Sequence, residues 1–316
     1  MKIKKRLLLT IGDPCGIGPE IILKIFQGKK LSPGSELFVI GSKKIFDHYS
    51  LLLDLEKLPE NRIIEIPLPK NFKITPGQTN RSAGKISGHA IKLASEMCLK
   101  KEFHGMITLP ISKESLNKAG YNFPGHTEML TEITLSHNTV MILYSKKFSV
   151  ATATGHIPLS EVSKKITPSN LFQKIVSVNN VFVKDFKIRN PKIAILSLNP
   201  HAGDGGLLGK EEVDIIGPVI EEMNSLGFNL RGPFPADAFF ANRTYKKFDI
   251  TVSMYHDQGL IPFKMISFEK GVNYTGGLNI IRTSPDHGTA FDISGLGKAN
   301  PESTIEAIKL AEKLSG

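Results

Sequence analysis

Residues 7–20 read LLLTIGDPCGIGPE, and their pattern indicates the class of fold. Three leucines, Thr10 and Ile11 form a short, largely apolar run, which predicts a strand. A glycine-rich turn follows, and Pro19 suits the first turn of a helix because its missing N–H costs nothing there. A strand, a turn and a helix in this order are the repeating unit of α/β proteins.

The same alternation continues along the chain. Short apolar runs bounded by Gly and Pro recur between longer segments in which apolar residues have helical spacing. Strands are predicted at residues 7–11, 37–40, 63–66, 106–109, 140–144, 149–152, 193–198 and 250–255. We therefore expect an α/β protein with a largely parallel sheet. A chain of 316 residues favours two domains, and no repeat or low-complexity linker marks their boundary.

Composition and charge exclude several classes of protein. The 40 Lys and Arg against 30 Asp and Glu give a net charge of +10, but the basic residues occur in scattered pairs. We therefore expect no nucleic-acid partner, whereas a small phosphorylated or carboxylated substrate would suit the positive field. Two cysteines without zinc spacing, no long apolar run and no signal-peptide core predict a cytoplasmic protein without a membrane segment.

Polar turns that follow strands are the candidate sites, because ligands of α/β sheets bind beyond the carboxyl ends of the strands. The turn with Gly12, Asp13, Gly16 and Gly18 either faces a ligand or only meets the needs of a tight turn. It lacks the full G-x-G-x-x-G pattern, so a Rossmann dinucleotide site is not indicated.

Three histidines, His156, His201 and His256, each follow a predicted strand. Three neutral imidazoles from separate turns would make an open site for Zn²⁺ or a similar ion; otherwise they are unrelated loop residues. Asp257 and Asp237 are candidates to accept a hydrogen bond from a ligating imidazole, or they cap helices.

Further polar residues could bind an anion. His126 and Thr127 offer hydrogen bonds in a Pro-Gly turn, although a lone loop histidine is commonly surface decoration. Lys264 and Arg282 either clamp an anionic substrate or are a pair of surface cations.

Taken together, these motifs resemble the 4-hydroxythreonine-4-phosphate dehydrogenase family, an NAD-dependent family of pyridoxal 5'-phosphate biosynthesis. The resemblance runs from residue 12 to residue 292. The family's motifs occur in order as GHTE at 125–128, LNPHAG at 198–203, YHDQGL at 255–260 and RTSPDHGTA at 282–290.

The resemblance implies a two-domain α/β/α fold like that of isocitrate and isopropylmalate dehydrogenases, with a cleft between the domains. Residues 1–128 and 279–316 would form one domain and 129–278 the other. The cofactor, NAD or NADP, would be bound by residues of two segments: Gly12, Asp13, Gly16, Gly18, His287, Gly288, Thr289, Ala290 and Asp292.

The resemblance also assigns the polar residues of the other turns. His156, His201 and His256 would bind a divalent metal, with zinc preferred over magnesium or cobalt, in a site shared between two subunits of a homodimer. The implied substrate-binding residues are His126, Thr127, Lys264, Asn273 and Arg282. Lys264, Asp257 and Asp237 are the candidates for the proton acceptor.

The implied reaction oxidises 4-phosphooxy-L-threonine to a β-keto acid that decarboxylates to 3-amino-2-oxopropyl phosphate. Cys15, Gly155 and Ala238 depart from the residues usual in the family, which leaves the exact substrate open. The alternatives are a sibling dehydrogenase acting on 4-phospho-D-threonate or 4-phospho-D-erythronate, and a metal-dependent lyase or phosphatase without a redox step.

Overall fold

A computed structural model describes residues 4–28, 34–123 and 125–316. The strands are β1 Lys5–Thr10, β2 Ser35–Gly41, β3 Ile63–Glu65, β4 Gly105–Thr108, β5 Val140–Tyr144, β6 Ser149–Thr152, β7 Lys192–Leu196, β8 Asn229–Phe234, β9 Ile250–Ser253, β10 Val272–Gly276 and β11 Arg282–Pro285. The helices are α1 Gly18–Gln27, α2 Lys43–Leu53, α3 Arg81–Leu99, α4 Lys113–Lys118, α5 His126–Ile133, α6 Leu159–Lys165, α7 Pro168–Lys184, α8 Gly217–Ser225, α9 Ala236–Ala241, α10 His256–Ser267 and α11 Glu302–Leu314.

The first of two compact units comprises residues 1–137 and 278–316. Its strands lie in the order β3-β2-β1-β4-β11, and all neighbours are parallel. Leu7, Leu8 and Leu9 of β1 are fully buried, as expected for a central parallel strand. Parallel strands place their carboxyl ends at one edge of the sheet, so the turn after β1 lies at the edge where ligands bind.

The second unit comprises residues 138–277. Its strands lie in the order β10-β5-β6-β9-β7-β8, with antiparallel pairs from β10 to β6 and parallel pairs from β6 to β8. The core contains a cluster of aromatic and aliphatic side chains: Leu143, Phe148, Val150, Ala194, Leu196, Phe239, Tyr245 and Phe263. Because β6, β9 and β7 are parallel neighbours, the segments that follow them leave the same edge of this sheet.

The predicted α/β class is confirmed, whereas three strands were not predicted. β8 reads NLRGPF and contains a glycine and a proline, which are rare inside strands. β10 and β11 read VNYTG and RTSP. Both strands are mostly buried, but their polar residues do not give the apolar run that predicts a buried strand. The boundary expected after residue 128 also differs, since α5 continues to Ile133 and residues 129–137 belong to the first unit.

No helix within the described ranges is both long enough and apolar enough to cross a bilayer.

Candidate active site

The turn between β1 and α1 needs two of its glycines for steric reasons. Gly12 has a φ of +72°, and a Cβ atom there would lie 2.6 Å from the carbonyl oxygen of Pro110. A Cβ atom on Gly18 would lie 2.3 Å from the carbonyl oxygen of Ile11. Side chains at either position would displace the backbone, so these glycines serve the close packing of the turn.

Asp13 stabilises the same turn. Its side chain is fully buried, and Oδ1 accepts a hydrogen bond of 2.9 Å from the N–H of Cys15. Burial raises the pKa of Asp13, and its hydrogen bonds partly oppose this effect. Asp13 therefore holds the backbone of the turn in place. Its buried side chain does not face solvent, where a ligand would make direct contact.

The structure brings the two predicted cofactor segments together in the first unit. The N–H of Ile17 donates to the carbonyl oxygen of Thr289 at 3.1 Å, and Ser294 Oγ donates to the carbonyl oxygen of Cys15 at 2.8 Å. Gly16 lies so close to Thr289 that a Cβ atom would approach its carbonyl oxygen to 3.0 Å. The remaining predicted cofactor residues are half-buried or exposed along this segment: His287, Gly288, Ala290 and Asp292.

Arg282 is a buried cation rather than a surface one. Its side chain on β11 is 2% exposed, and Nε and Nη2 donate to Thr108 Oγ1 on the neighbouring β4 at 2.9 and 2.7 Å. Burial lowers the pKa of Arg282 to about 9, and the charge of Glu128 works in the opposite direction. The guanidinium remains protonated at neutral pH and is held in one orientation.

His126 lies in the first turn of α5, next to Thr127. Burial lowers the pKa of His126 well below its usual value, and the charge of Arg282 lowers it further, so the imidazole is neutral. Within the described ranges its Nε2 is buried and has no hydrogen-bond partner. A neutral imidazole with an unsatisfied nitrogen near a buried guanidinium is suited to bind an oxygen of an anionic ligand.

Two of the three predicted metal ligands meet in the second unit. His156 follows β6 and His256 begins α10 directly after β9, and their ring centroids lie 5.3 Å apart. Nδ1 of His256 lies 2.7 Å from Oδ1 of Asp257, which orients the ring. Contact of one ring nitrogen with a carboxylate is typical of histidines that ligate metals through the other nitrogen.

His201 does not join this pair. Residues 201–205 form a left-handed turn, in which His201 has a φ of 52° and Ala202 a φ of 53°. Across the described ranges no group of three metal-ligating side chains comes together. A single chain therefore presents two of the three histidines to a common point.

The other predicted residues of the second unit are dispersed. Asn273 lies on β10, and its Oδ1 is buried without a hydrogen-bond partner in the described part of the chain. Lys264 is exposed on α10, eight residues or roughly 12 Å along the helix from His256. Asp237 is exposed in the first turn of α9.

Two residues of the site were missed from the sequence. Thr108, which positions Arg282, ends the strand GMIT, and its place at a strand end was an available signal. Glu212 is 4% exposed and binds the backbone ahead of His201 through Oε1, which accepts from the N–H groups of Leu198 and Asn199 at 2.7 and 2.8 Å. Nothing in its local sequence distinguishes Glu212 from a surface acid.

Comparisons with known proteins identify the family of this chain. The sequence pattern of the family described as "Pyridoxal phosphate biosynthetic protein PdxA" matches residues 34–311. The chain is 40% identical to the 4-hydroxythreonine-4-phosphate dehydrogenase of Prosthecochloris aestuarii, over 97% of this chain and 96% of that protein. It is 37% identical to the D-threonate 4-phosphate dehydrogenase of Pectobacterium atrosepticum, over 99% of this chain and 100% of that protein.

A solved structure is similar along its whole length. The crystal structure of 4-hydroxythreonine-4-phosphate dehydrogenase from Klebsiella pneumoniae matches with a TM-score of 0.85 and 33% identity, covering 99% of this chain and 100% of that one. The names of all three related proteins describe dehydrogenases of a 4-phosphate substrate. The sequence match, the identities and the shared fold lead to one conclusion: this chain belongs to the pyridoxal phosphate biosynthetic protein PdxA family.

Proposed function

We propose that the protein is an NAD-dependent, divalent-metal-dependent dehydrogenase of a phosphorylated four-carbon hydroxy acid. The first candidate substrate is 4-phosphooxy-L-threonine, whose oxidation gives a β-keto acid that loses CO₂ to form 3-amino-2-oxopropyl phosphate. This assignment would place the reaction in pyridoxal 5'-phosphate biosynthesis. The observation that carries the proposal is the buried Arg282 guanidinium near the neutral His126, because together they suit a phosphate or carboxylate group.

The substrate anion would be bound mainly by the first unit. Thr108 fixes the plane of the Arg282 guanidinium, so little side-chain entropy is lost when an oxyanion binds. His126 Nε2 and the half-buried Thr127 at the start of α5 would add hydrogen bonds. The family resemblance adds Lys264 and Asn273 to the set, and the unsatisfied Oδ1 of Asn273 is suited to accept from a substrate amine.

The residues present fit a divalent cation. His156 and His256 lie side by side, Asp257 orients His256, and neutral imidazoles are common ligands of zinc and cobalt. We propose that His201 of a second subunit completes the site, so that the protein acts as a homodimer. When bound, the cation would lower the pKa of the substrate alcohol and the nicotinamide would take up hydride.

The remaining roles follow from position. The contact between the turn at residues 12–18 and the segment at 287–292 offers backbone groups and partly exposed side chains for the cofactor. For the proton acceptor, the candidates Asp257, Lys264 and Asp237 are all exposed, and Asp257 also contacts His256. The three side chains are therefore best ranked by the pH dependence of turnover in single variants.

A second candidate substrate is 4-phospho-D-threonate. The observation that favours it is the full-length similarity to the Pectobacterium enzyme, whose name carries that substrate. Both compounds share the phosphate that Arg282 would bind and differ at C2, where the first carries an amine.

One substrate panel tests the proposal. Purified enzyme receives NAD with 4-phosphooxy-L-threonine, 4-phospho-D-threonate or 4-phospho-D-erythronate, and NADH absorbance is followed with and without a chelator. Chelator-sensitive NADH formation with the first compound is the expected result. Preference for either of the others assigns the sibling activity. Parallel reactions without NAD are followed by mass spectrometry of the substrate, and consumption of any compound there identifies a lyase or phosphatase instead.

A further inference from the structure

A basic cavity of about 850 Å³ opens on the second unit, away from the two histidines. Its lining combines cations with aromatic and aliphatic groups: Lys146, Lys147, Phe240, Arg243, Tyr245, Lys246, Phe248, Pro262, Met265 and Ile266. None of the residues assigned above to substrate, metal or cofactor is in this set.

The cavity lies at the opposite edge of the sheet from the histidines. Lys146 and Lys147 lie between β5 and β6, ahead of the first residue of β6, and Tyr245, Lys246 and Phe248 precede β9. His156 and His256 follow the carboxyl ends of β6 and β9. The length of both strands therefore separates the cavity from the candidate metal site.

The aromatic floor of the cavity is fixed by the core of the unit. Tyr245 is 9% exposed, and its ring lies 5.2 Å from that of the buried Phe148. Phe240 also contacts the Phe148 ring at 5.6 Å, and Phe248 contacts Phe234 at 5.6 Å. Rings held in this way form a preorganised apolar surface, which lowers the entropic cost of binding a ligand.

Cations surround this floor. Lys147, Arg243 and Lys246 are exposed, and none of them belongs to an ion pair found among the described residues. The described lining contains no Asp or Glu. Clustered like charges repel one another unless an anion binds between them, and Arg both pairs with phosphate and stacks on rings.

The shape and chemistry of the cavity indicate one class of ligand. A four-carbon phosphate would fill little of it, whereas volumes of about 300–1,000 Å³ are typical of sites for larger small molecules. Single-stranded nucleic acid is less suited, because it needs a basic groove with rings for successive bases, whereas the rings and cations here line one cavity. We propose that this cavity is a second binding site, for a phosphorylated aromatic compound whose ring lies on Phe240 and Phe248 and whose phosphate contacts Arg243 and Lys246.

Titration calorimetry of the full-length protein with 1-naphthyl phosphate tests this site. The double variant Arg243→Glu/Lys246→Glu should bind the ester at least about tenfold more weakly than the wild type, because two favourable charges become repulsive. The matched control Lys44→Glu/Lys70→Glu changes the net charge equally at exposed positions of the first unit and should bind like the wild type. Inorganic phosphate and 1-naphthol should each bind more weakly than the ester.

Several results would overturn the site. Equal affinity in the Arg243/Lys246 variant and the control, 1-naphthol binding as tightly as the ester, or tighter binding of an oligo-dT strand would each do so. Arg243→Ala/Lys246→Ala, checked by circular dichroism, covers the case in which charge reversal prevents folding, and it should also weaken binding. His256→Ala should leave binding of 1-naphthyl phosphate unchanged. Failure of the proposed dehydrogenase activity can therefore be distinguished from failure of the cavity to bind this ester.

Discussion

The carboxylate of Glu212 holds Asn199 at two points: Oε1 accepts from the backbone N–H at 2.8 Å, and Oε2 accepts from the side-chain Nδ2 at 2.9 Å. These bonds fix the chain immediately before the left-handed turn at residues 201–205. Non-glycine residues in that conformation cost about 1–2 kcal/mol each, so the turn needs support from its surroundings. Residue 203 is limited to glycine, since its φ is +78° and a Cβ there would lie 2.7 Å from Glu212 Oε2 and 2.9 Å from the carbonyl oxygen of Gly209.

Replacement of Glu212 should therefore release the segment that carries His201. Glu212→Ala leaves two backbone N–H groups without their acceptor, and we expect a loss of about 2–4 kcal/mol in the free energy of unfolding. Glu212→Gln keeps one acceptor oxygen and should lose less. Urea unfolding followed by circular dichroism measures both effects.

The exposed Glu221→Ala on α8 is the matched control and should change stability by less than about 0.5 kcal/mol. If Glu212→Ala behaved like this control, the turn would not depend on the carboxylate.

His201→Ala tests the proposed metal site. We expect the variant to fold like the wild type, because the core does not depend on the metal, and to lose chelator-sensitive turnover. Binding of Co²⁺, followed by its visible absorption, should weaken by at least about tenfold. His89→Ala, an exposed histidine on α3, is the control. Retention of full cobalt affinity by His201→Ala would remove His201 from the ligand set.

Much of the fold could be predicted because apolar strands and glycine turns are local features. The order β6-β9-β7, which places the carboxyl ends of β6 and β9 side by side, is a long-range property that periodicity does not contain. The pairing of His156 with His256 therefore became visible only in the structure. β11 was missed for a related reason, since its sequence RTSP is polar. Arg282 of this strand can be buried because it donates hydrogen bonds to Thr108, which lies 174 residues away along the chain.

For the candidate site too, some features could be predicted from the sequence and others required the structure. Residue type made His126 and Arg282 candidates, and positions after predicted strands made His156, His201 and His256 candidates, since the chemistry of those groups is recognisable in sequence. The burial of Arg282 and the left-handed path at His201 depend on packing and backbone conformation. Sequence patterns report neither of these directly.

Arg282→Ala should mainly weaken substrate binding. Removal of the guanidinium deletes the charge proposed to bind the phosphate, so KM for 4-phosphooxy-L-threonine should rise by at least about 100-fold with a smaller change in kcat. Steady-state kinetics measure this, and circular dichroism checks the fold because the side chain is buried. An equal loss with unphosphorylated 4-hydroxy-L-threonine would contradict contact with the phosphate.

Gly12 and Gly120 allow steric clash to be separated from backbone strain. Both have positive φ, +72° and +92°, but a Cβ on Gly120 meets no atom within 4 Å, whereas one on Gly12 meets Pro110 at 2.6 Å. Gly120→Ala should cost about 1 kcal/mol in the free energy of unfolding, and Gly12→Ala about 3 kcal/mol or more. Urea midpoints measure both. Similar losses in the two variants would show that strain alone accounts for the glycine at position 12.

Stability should fall with acidification because of His126. Its pKa in the folded protein is lowered well below the usual 6.5 by burial and by the charge of Arg282. Between these two pKa values the unfolded chain binds a proton that the folded chain does not. The stabilisation is therefore complete above about pH 6.5 and is lost as pH falls, by up to about 1.4 kcal/mol per pH unit.

Urea unfolding at pH 7.5 and 5.5 measures this dependence, which His126→Gln should reduce because glutamine does not titrate. The exposed His89→Gln should leave it unchanged. A phosphate bound at this site would raise the pKa of His126 in the folded protein, since its negative charge favours the imidazolium. Inorganic phosphate should therefore reduce the loss of stability at pH 5.5 in the wild type and leave His126→Gln less affected, which ties the pH response to the proposed anion site.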